Sequence, residues 1–218
     1  MKKHNWKDVP MPELMDKHCE RDKRGMPVPF VVLKDANGVH HFKINDTEKT
    51  IRCMMGNLCT ICGQRMDLDD RWLVGGIASA FDKYGIYIDH PVHYECGKYA
   101  LKVCPYLASR NYDSTKTDVN KLQEKIKEAA ILVNPTVDMD RLPMFAFIRP
   151  LQIAYVTSKQ NSTEIRVKPL GPYHDVQFWD EGEQITDIEV VKQKLIGTKW
   201  EKYLNVIYEQ CRVQASEV

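Results

Sequence analysis

Hydrophobic and polar positions change period several times along the chain, and each change marks an element. The first paired runs are Phe30-Val31-Val32-Leu33 and Val39-His40-His41-Phe42-Lys43-Ile44, flanking Ala36-Asn37-Gly38. Asn-Gly between two such runs predicts an antiparallel β-hairpin, because both residues tolerate the left-handed backbone of a tight turn. Neighbouring side chains of a strand point to opposite faces, so His40 and His41 do not serve one site and read as surface histidines. A helix follows. Asn45-Asp46-Thr47-Glu48 has the form of a capping box, and Ile51, Met54, Met55 and Leu58 recur at helical spacing, which predicts a core-facing stripe ending at Cys59.

Further along, Trp72-Leu73-Val74-Gly75-Gly76 and Ile86-Tyr87-Ile88 read as the strands of a short hairpin. Asp89 ahead of Pro91 predicts a helix with Asp89 as N-cap and the proline in its first turn. Pro105 kinks or ends that helix, since proline has no backbone N–H to donate. Ser109 to Thr117 is a polar linker. Asp118 to Val133 predicts a helix with Val119, Leu122, Ile126, Ala129, Ala130 and Val133 on one side, and alternating Lys and Glu on the other.

The last third reads as strands: Met144–Ile148, Leu151–Ser158, Glu164–Pro169 and Asp175–Trp179, punctuated by Asn161-Ser162 and Gly171-Pro172. Asp180-Glu181-Gly182-Glu183 is a turn. Thr186-Asp187-Ile188-Glu189 and Thr198-Lys199-Trp200-Glu201 are capping boxes that open two helices separated by Gly197. Trp200, Leu204, Ile207 and Cys211 line the second, which is expected to cover one face of the antiparallel sheet, making Cys211 structural. At the other end, residues 1–28 are polar, with Pro10, Pro12 and Pro27, and Pro29 just beyond. A short helix is expected to open at Pro12 and end near Gly25, within an otherwise solvated arm.

These elements make an α+β protein with three segments. Residues 1–44 hold the arm and the N-terminal β-hairpin, residues 45–112 a finger, and residues 113–218 a helix, the antiparallel sheet and the two C-terminal helices. At 218 residues the chain can bury a real core. A net charge of +1 with 28% charged residues creates no global field for nucleic acid or anionic lipid. Seven cysteines, an odd number with three of them and one histidine in a metal-like array, point to a reducing cytoplasm. No signal peptide opens the chain and no apolar run reaches the roughly 18 residues of a membrane span, so a cytoplasmic, membrane-free protein is expected.

The candidate chemistry lies in Cys59-x-x-Cys62 and His93-x-x-Cys96. Two residues between the first thiols let both sulfurs face one point, and Gly63 permits the tight reversal that follows. His93 and Cys96, three apart on a helix, share a face. Three thiolates and one imidazole are a ligand set of structural zinc, so one Zn2+ is expected in a treble-clef-like finger spanning Asn45 to Asn111. A redox Cys-x-x-Cys pair and unconnected buried thiols are the competing readings. Cys53, inside the helix, and Cys104, beside Pro105, read as small buried side chains. His90 is the rival imidazole, at the wrong spacing from Cys96 for one helical face.

Several stretches carry a resemblance: Arg24-Gly25-Met26-Pro27-Val28-Pro29-Phe30, Leu58-Cys59-Thr60-Ile61-Cys62-Gly63, Val74-Gly75-Gly76, the run His93 to Leu107, and, more loosely, Val176 to Gly182. Across them the chain resembles a group of uncharacterised bacterial and phage proteins with a CxxCG…HxxC zinc motif. The resemblance implies the Cys59, Cys62, His93, Cys96 tetrad and a phage or mobile-element origin in a bacterial host's cytoplasm. It implies no activity.

A saturated zinc leaves no open position for water, which argues for a non-catalytic, zinc-stabilised protein that binds a host or phage protein. The expected docking surface is the sheet face or the Gly75–Gly85 loop, with Phe81, Tyr84 and Tyr87 as aromatic anchors. The alternative is a nucleic-acid-binding, degenerate HNH-like treble clef. Asp89-His90 resembles an HNH pair, but only two residues separate His90 from His93. Between Gly97 and Glu128, seven Lys or Arg oppose four acids, with Tyr99, Tyr106 and Tyr112 available for stacking. Against this, Glu164 to Glu189 holds seven acids and two bases. Phosphate-binding loops, dinucleotide fingerprints and nucleophile elbows are missing from the sequence.

Overall fold

In the computed structural model, residues 6–108, 131–133, 142–157 and 165–216 are described. The protein mixes helices with antiparallel sheets. Its longest element is a two-stranded ribbon, β7 (Phe145–Thr157) against β8 (Ile165–Asp180). The four expected strand runs merge pairwise into these two. Neither Pro150 nor Gly171-Pro172 ends a strand, because the ribbon absorbs both at an irregularity in register around Arg149 to Gln152. Left-handed Glu181 and Gly182 then turn the chain into β9 (Glu183–Ile185). The fourth strand comes from far upstream: β5 (Leu73–Gly76) pairs with Phe145–Ile148 of β7, giving the order β5-β7-β8-β9. The expected hairpin between residues 72–76 and 86–88 does not form. Trp72 instead bridges Val92, and Tyr87 bridges Val167.

Around Phe145–Ile148 this sheet is buried on both faces. Met144, Ala146, Ile148, Val176 and Phe178 face one cluster, which includes Ile77, Phe81, Tyr87, Val191, Leu195 and Ile207. Phe145, Phe147 and Trp179 face the other, which holds the Cys59, Cys62 and Cys96 thiols. Alternate residues of one strand thus fill two different cores, which is why the run reads as continuously apolar.

On the first face lie α3 (Ile77–Phe81), α6 (Ile188–Leu195) and α7 (Leu204–Ser216). The expected stripe of the last helix packs here: Ile207 is buried, and Trp200, Leu204 and Cys211 pack against the same cluster. The cap of α6 is Asp187 rather than Thr186, its carboxylate accepting from the Glu189 N–H at 2.9 Å. Before α7 the Thr198 hydroxyl accepts from Trp200 N–H, while Glu201 reaches back to the N–H of left-handed Gly197.

The N-terminal hairpin forms as predicted, β3 (Val32–Lys34) against β4 (His40–Asp46). Asp35 accepts from the Asn37 and Val39 N–H groups, and Gly38 is left-handed. His40 pairs with Glu20 and His41 with Asp35, so they share no site. β6 (Ile131–Val133) adds to β4, so the expected helix to Val133 is strand at its end. The rest of that helix, and the 109–117 linker, lie outside the described residues.

In α2 (Thr47–Gly56) the cap is Asp46, one residue later than expected, accepting from Lys49 N–H. The buried face is Thr47, Thr50 and Cys53, not the predicted stripe: Met55 is 79% exposed. Polar Thr50 can be buried because its hydroxyl donates to the Asp46 carbonyl. The anchors expected on the Gly75–Gly85 loop are also reassigned. Phe81 and Tyr87 are core residues, and Tyr84 alone of the three is exposed. The glycines serve close packing rather than adaptability. A Cβ on Gly75 would lie 2.4 Å from the Tyr87 ring, and one on Gly85 2.3 Å from the Ser79 carbonyl.

The same constraint acts at Gly97, where a Cβ would sit 2.7 Å from the Phe147 ring and 2.9 Å from Val92. Gly97→Ala is therefore expected to lower the unfolding free energy by about 1–3 kcal/mol. Met55→Ala should change it by less than about 0.5 kcal/mol. Chemical denaturation of the two variants checks both values, and a larger loss at Met55 would contradict the observed face of α2.

Candidate metal centre

The centre is assembled from two local devices. In the first, α2 ends at left-handed Asn57, whose N–H reaches the Cys53 carbonyl, as does that of Leu58. The chain then folds back on itself. Gly63 N–H donates to Cys59 O at 2.8 Å, Cys59 N–H donates to Gln64 O at 2.8 Å, and Leu58 bridges Arg65. Gly63 is left-handed at φ 72°, and a Cβ there would meet the Phe30 ring at 2.8 Å, so glycine is required twice over. The knuckle's outer carbonyls are also engaged: Phe30 N–H donates to Ile61 O and Val31 N–H to Thr60 O.

The second device is the start of α4 (Tyr94–Val103). It opens later than expected. Asp89 to Val92 is not helical, Val92 being bridged to Trp72, and His93 rather than Asp89 occupies the N-cap position. The first-turn Tyr94 N–H is satisfied by Asp70 Oδ1 at 2.9 Å, from a loop more than twenty residues upstream. Asp89 instead accepts from Asn45 Nδ2. Cys104 caps the end of α4 and α5 (Pro105–Ala108) follows, so the break at Pro105 is where it was expected. Cys53 is buried as expected, whereas Cys104 is only half-buried.

Together these place Cys59, Cys62, His93 and Cys96 with their ligand atoms all within 4.8 Å of one another, each residue buried. Exposures run from 0% for Cys59 and Cys96 to 7% for His93. His93 Nδ1 is 3.3 Å from Cys62 Sγ and 4.0 Å from Cys96 Sγ. On the far side of the ring, Nε2 lies 3.1 Å from the Arg65 carbonyl. A carbonyl only accepts, so Nε2 carries the proton and the Nδ1 lone pair faces the thiols. That is the second-shell arrangement expected of a ligating imidazole.

Protonation shows what the cluster requires. Hydrogen bonds from Cys59 and Cys96 hold the Cys62 thiol down at about 3, and the same contacts push the Cys96 thiol far up. Three thiols at one point thus cannot all ionise unaided, whereas a cation at their centre stabilises all three thiolates. Cys19 and Cys53, the next thiols out, are each pushed up to about 12, chiefly by burial. They stay protonated and lie outside the tetrad.

His90 is excluded as a ligand by position. Its ring is buried, with Nε2 3.4 Å from the Ile165 carbonyl and the ring 5.4 Å from that of Tyr155. Three supports of the site escaped sequence reasoning. Asp70 caps α4 from the Asp67-Leu68-Asp69-Asp70 run, whose acids are a signal of capping without an address. The Arg65 carbonyl has no side-chain signature at all. The third is the N-terminal segment. The expected solvated arm instead packs on the centre through α1 (Glu13–His18), where Met15 is 3% exposed within the same core as the thiols. That helix ends at His18, well before Gly25, and β1 (Glu20–Arg21) pairs with β2 (Pro27–Val28) beyond it.

Replacing Cys59 or Cys96 with Ser is expected to abolish metal uptake, read by elemental analysis, while His90→Gln retains it. Asp70→Ala, which strips the cap, should cost about 1 kcal/mol. Burial lowers the pKa of His90 below its usual 6.5, so its neutral form contributes stability above pH 6.5 that is lost as pH falls toward the folded value. The pH-dependence of unfolding should therefore be shallower below pH 6.5 in His90→Gln than in the parent, and identical slopes would contradict it. Comparison with protein-family models, with curated proteins and with solved structures finds no match to the chain.

Proposed function

We propose that this is a non-catalytic binding protein whose treble-clef-like finger is held by one structural zinc ion on Cys59, Cys62, His93 and Cys96. The observation that carries the reading is closure. All four ligands are buried, and Met15, Tyr99 and Phe147 pack in the same core. A Cys3His set is the borderline-soft, tetrahedral environment that suits zinc, and four protein ligands leave no coordination position for a substrate or a nucleophilic water. Occupancy of such a site is worth on the order of 10 kcal/mol in small fingers, which is a folding contribution.

In this reading the partner is a protein of the phage or its bacterial host, met in the cytoplasm, in keeping with the resemblance carried by the knuckle and the His93–Leu107 run. No helix among the described residues is long and apolar enough to cross a membrane. Among the described residues, the most exposed large apolar side chains are Met55, Leu68 and Tyr84, each more than 70% exposed. Two of them, Met55 and Leu68, leave the knuckle hairpin at its base, where the Asn57 side chain and backbone both bond Met66.

The nucleic-acid alternative loses support at particular residues. Tyr99 is buried, Tyr106 packs edge-on against Phe145, and Tyr112 lies outside the described residues. Lys98 sits over the Tyr94 ring. The HNH-like pair is engaged elsewhere, Asp89 with Asn45 and His90 under Tyr155.

Native mass spectrometry of the intact protein tests the reading. One zinc per chain is expected, with a bound protein that Met55→Ser with Leu68→Ser releases while the zinc stays. Co-purifying nucleic acid displaced by salt, and weakened by Lys98→Glu with Lys102→Glu, would replace this reading with the alternative.

A further inference from the structure

We infer that the N-terminal segment from Trp6 to Phe30 is a metal-dependent strap, docked when the centre is occupied and released when it is emptied. The inference rests on the metal reading above and deepens it. The strap has little structure of its own: a six-residue helix and a pair of two-residue strands. A helix that short is not stable in water, and an isolated two-stranded ribbon is marginal at best. Its order therefore comes from what it touches.

Apart from Glu20, which pairs with Lys34 and His40 of the hairpin, what it packs against is the metal centre. Met15 is buried in the core that contains Cys59, Cys62 and Cys96, with Val9, Met11 and Cys19 packed against it. The Cys19 thiol donates to the Ile61 carbonyl at 3.3 Å, and the Phe30 N–H donates to the same carbonyl at 2.8 Å. Ile61 sits between the two knuckle thiols, so the carbonyl that anchors the strap at its middle and at its C-terminal end is positioned by Cys59 and Cys62 on either side of it. The Phe30 ring closes over Gly63, the residue that makes the knuckle turn.

The coupling follows from these contacts. Without a cation, the Cys59, Cys62 and Cys96 sulfurs are held together only by weak hydrogen bonds of sulfur, among themselves and to the His93 ring and backbone N–H. The knuckle then opens, Ile61 swings away, and both strap anchors are lost along with the pocket for Met15. By linkage, the docked strap must in turn favour the occupied centre. The β7–β8 ribbon carries its own ladder and its second core, so it is expected to outlast the strap.

Hydrogen exchange on the full chain, read by mass spectrometry with and without chelator, tests this. Stripping zinc should deprotect peptides covering residues 6–30 and 57–66 while peptides within 145–157 and 165–180 keep their protection. In the reciprocal measurement, Met15→Ala should release zinc to a colorimetric chelator about tenfold faster than the parent, at unchanged stoichiometry, since a truncated buried methionine loses packing on the closed state. Strap protection indifferent to zinc would overturn the inference. So would loss of all protection together. A chain that never takes up zinc would overturn the metal reading itself.

Discussion

Three thiols and an imidazole converge on one buried point, and that convergence is the constraint on which the finger depends. Bringing Cys59, Cys62 and Cys96 together depresses one thiol and raises another. A cation held at that point would stabilise all three thiolates at once. Everything around the point is arranged to hold the ligands where a cation would bind them. Gly63 turns the knuckle, Arg65 sets the imidazole tautomer through its carbonyl, and Asp70 caps the helix that brings His93 and Cys96.

The sheet transmits this local arrangement to the rest of the fold. Phe147 lies under Gly97 of the ligand helix and 4.5 Å from the Trp72 ring, centroid to centroid. Its neighbours in β7, Ala146 and Ile148, face the opposite core beneath the C-terminal helices. The finger and the C-terminal helices are therefore two layers on one sheet, joined through alternate side chains of the same strand. β5 makes the join covalent, since it leaves the knuckle region and pairs at once with β7.

Legibility followed the range of the interaction involved. The knuckle, the Asn37-Gly38 hairpin, the Glu181-Gly182 turn and the break at Pro105 depend on residues within a few positions of one another, and each was readable. Where a long-range partner decides, the reading slipped. Asp89 and Pro91 have good helix-start chemistry, but Val92 is taken up by its bridge to Trp72 and the N-cap moves to His93. In α2 the apolar stripe lost to Thr47, Thr50 and Cys53, because Thr50 satisfies its hydroxyl within the helix and costs little to bury.

What the sequence determined by itself is the clustering of Cys59, Cys62, His93 and Cys96, their spacing and the turns that present them. Those rest on the reach of a two- or three-residue separation and on glycine's freedom at positive φ. Only the tertiary structure decided which faces are buried. Met15 belongs to an arm that reads as solvated until the thiol core appears beneath it. Phe81 and Tyr87 read as exposed anchors until the sheet and the C-terminal helices cover them. Burial belongs to pairs of surfaces, and the second surface of each pair lies far away in the chain.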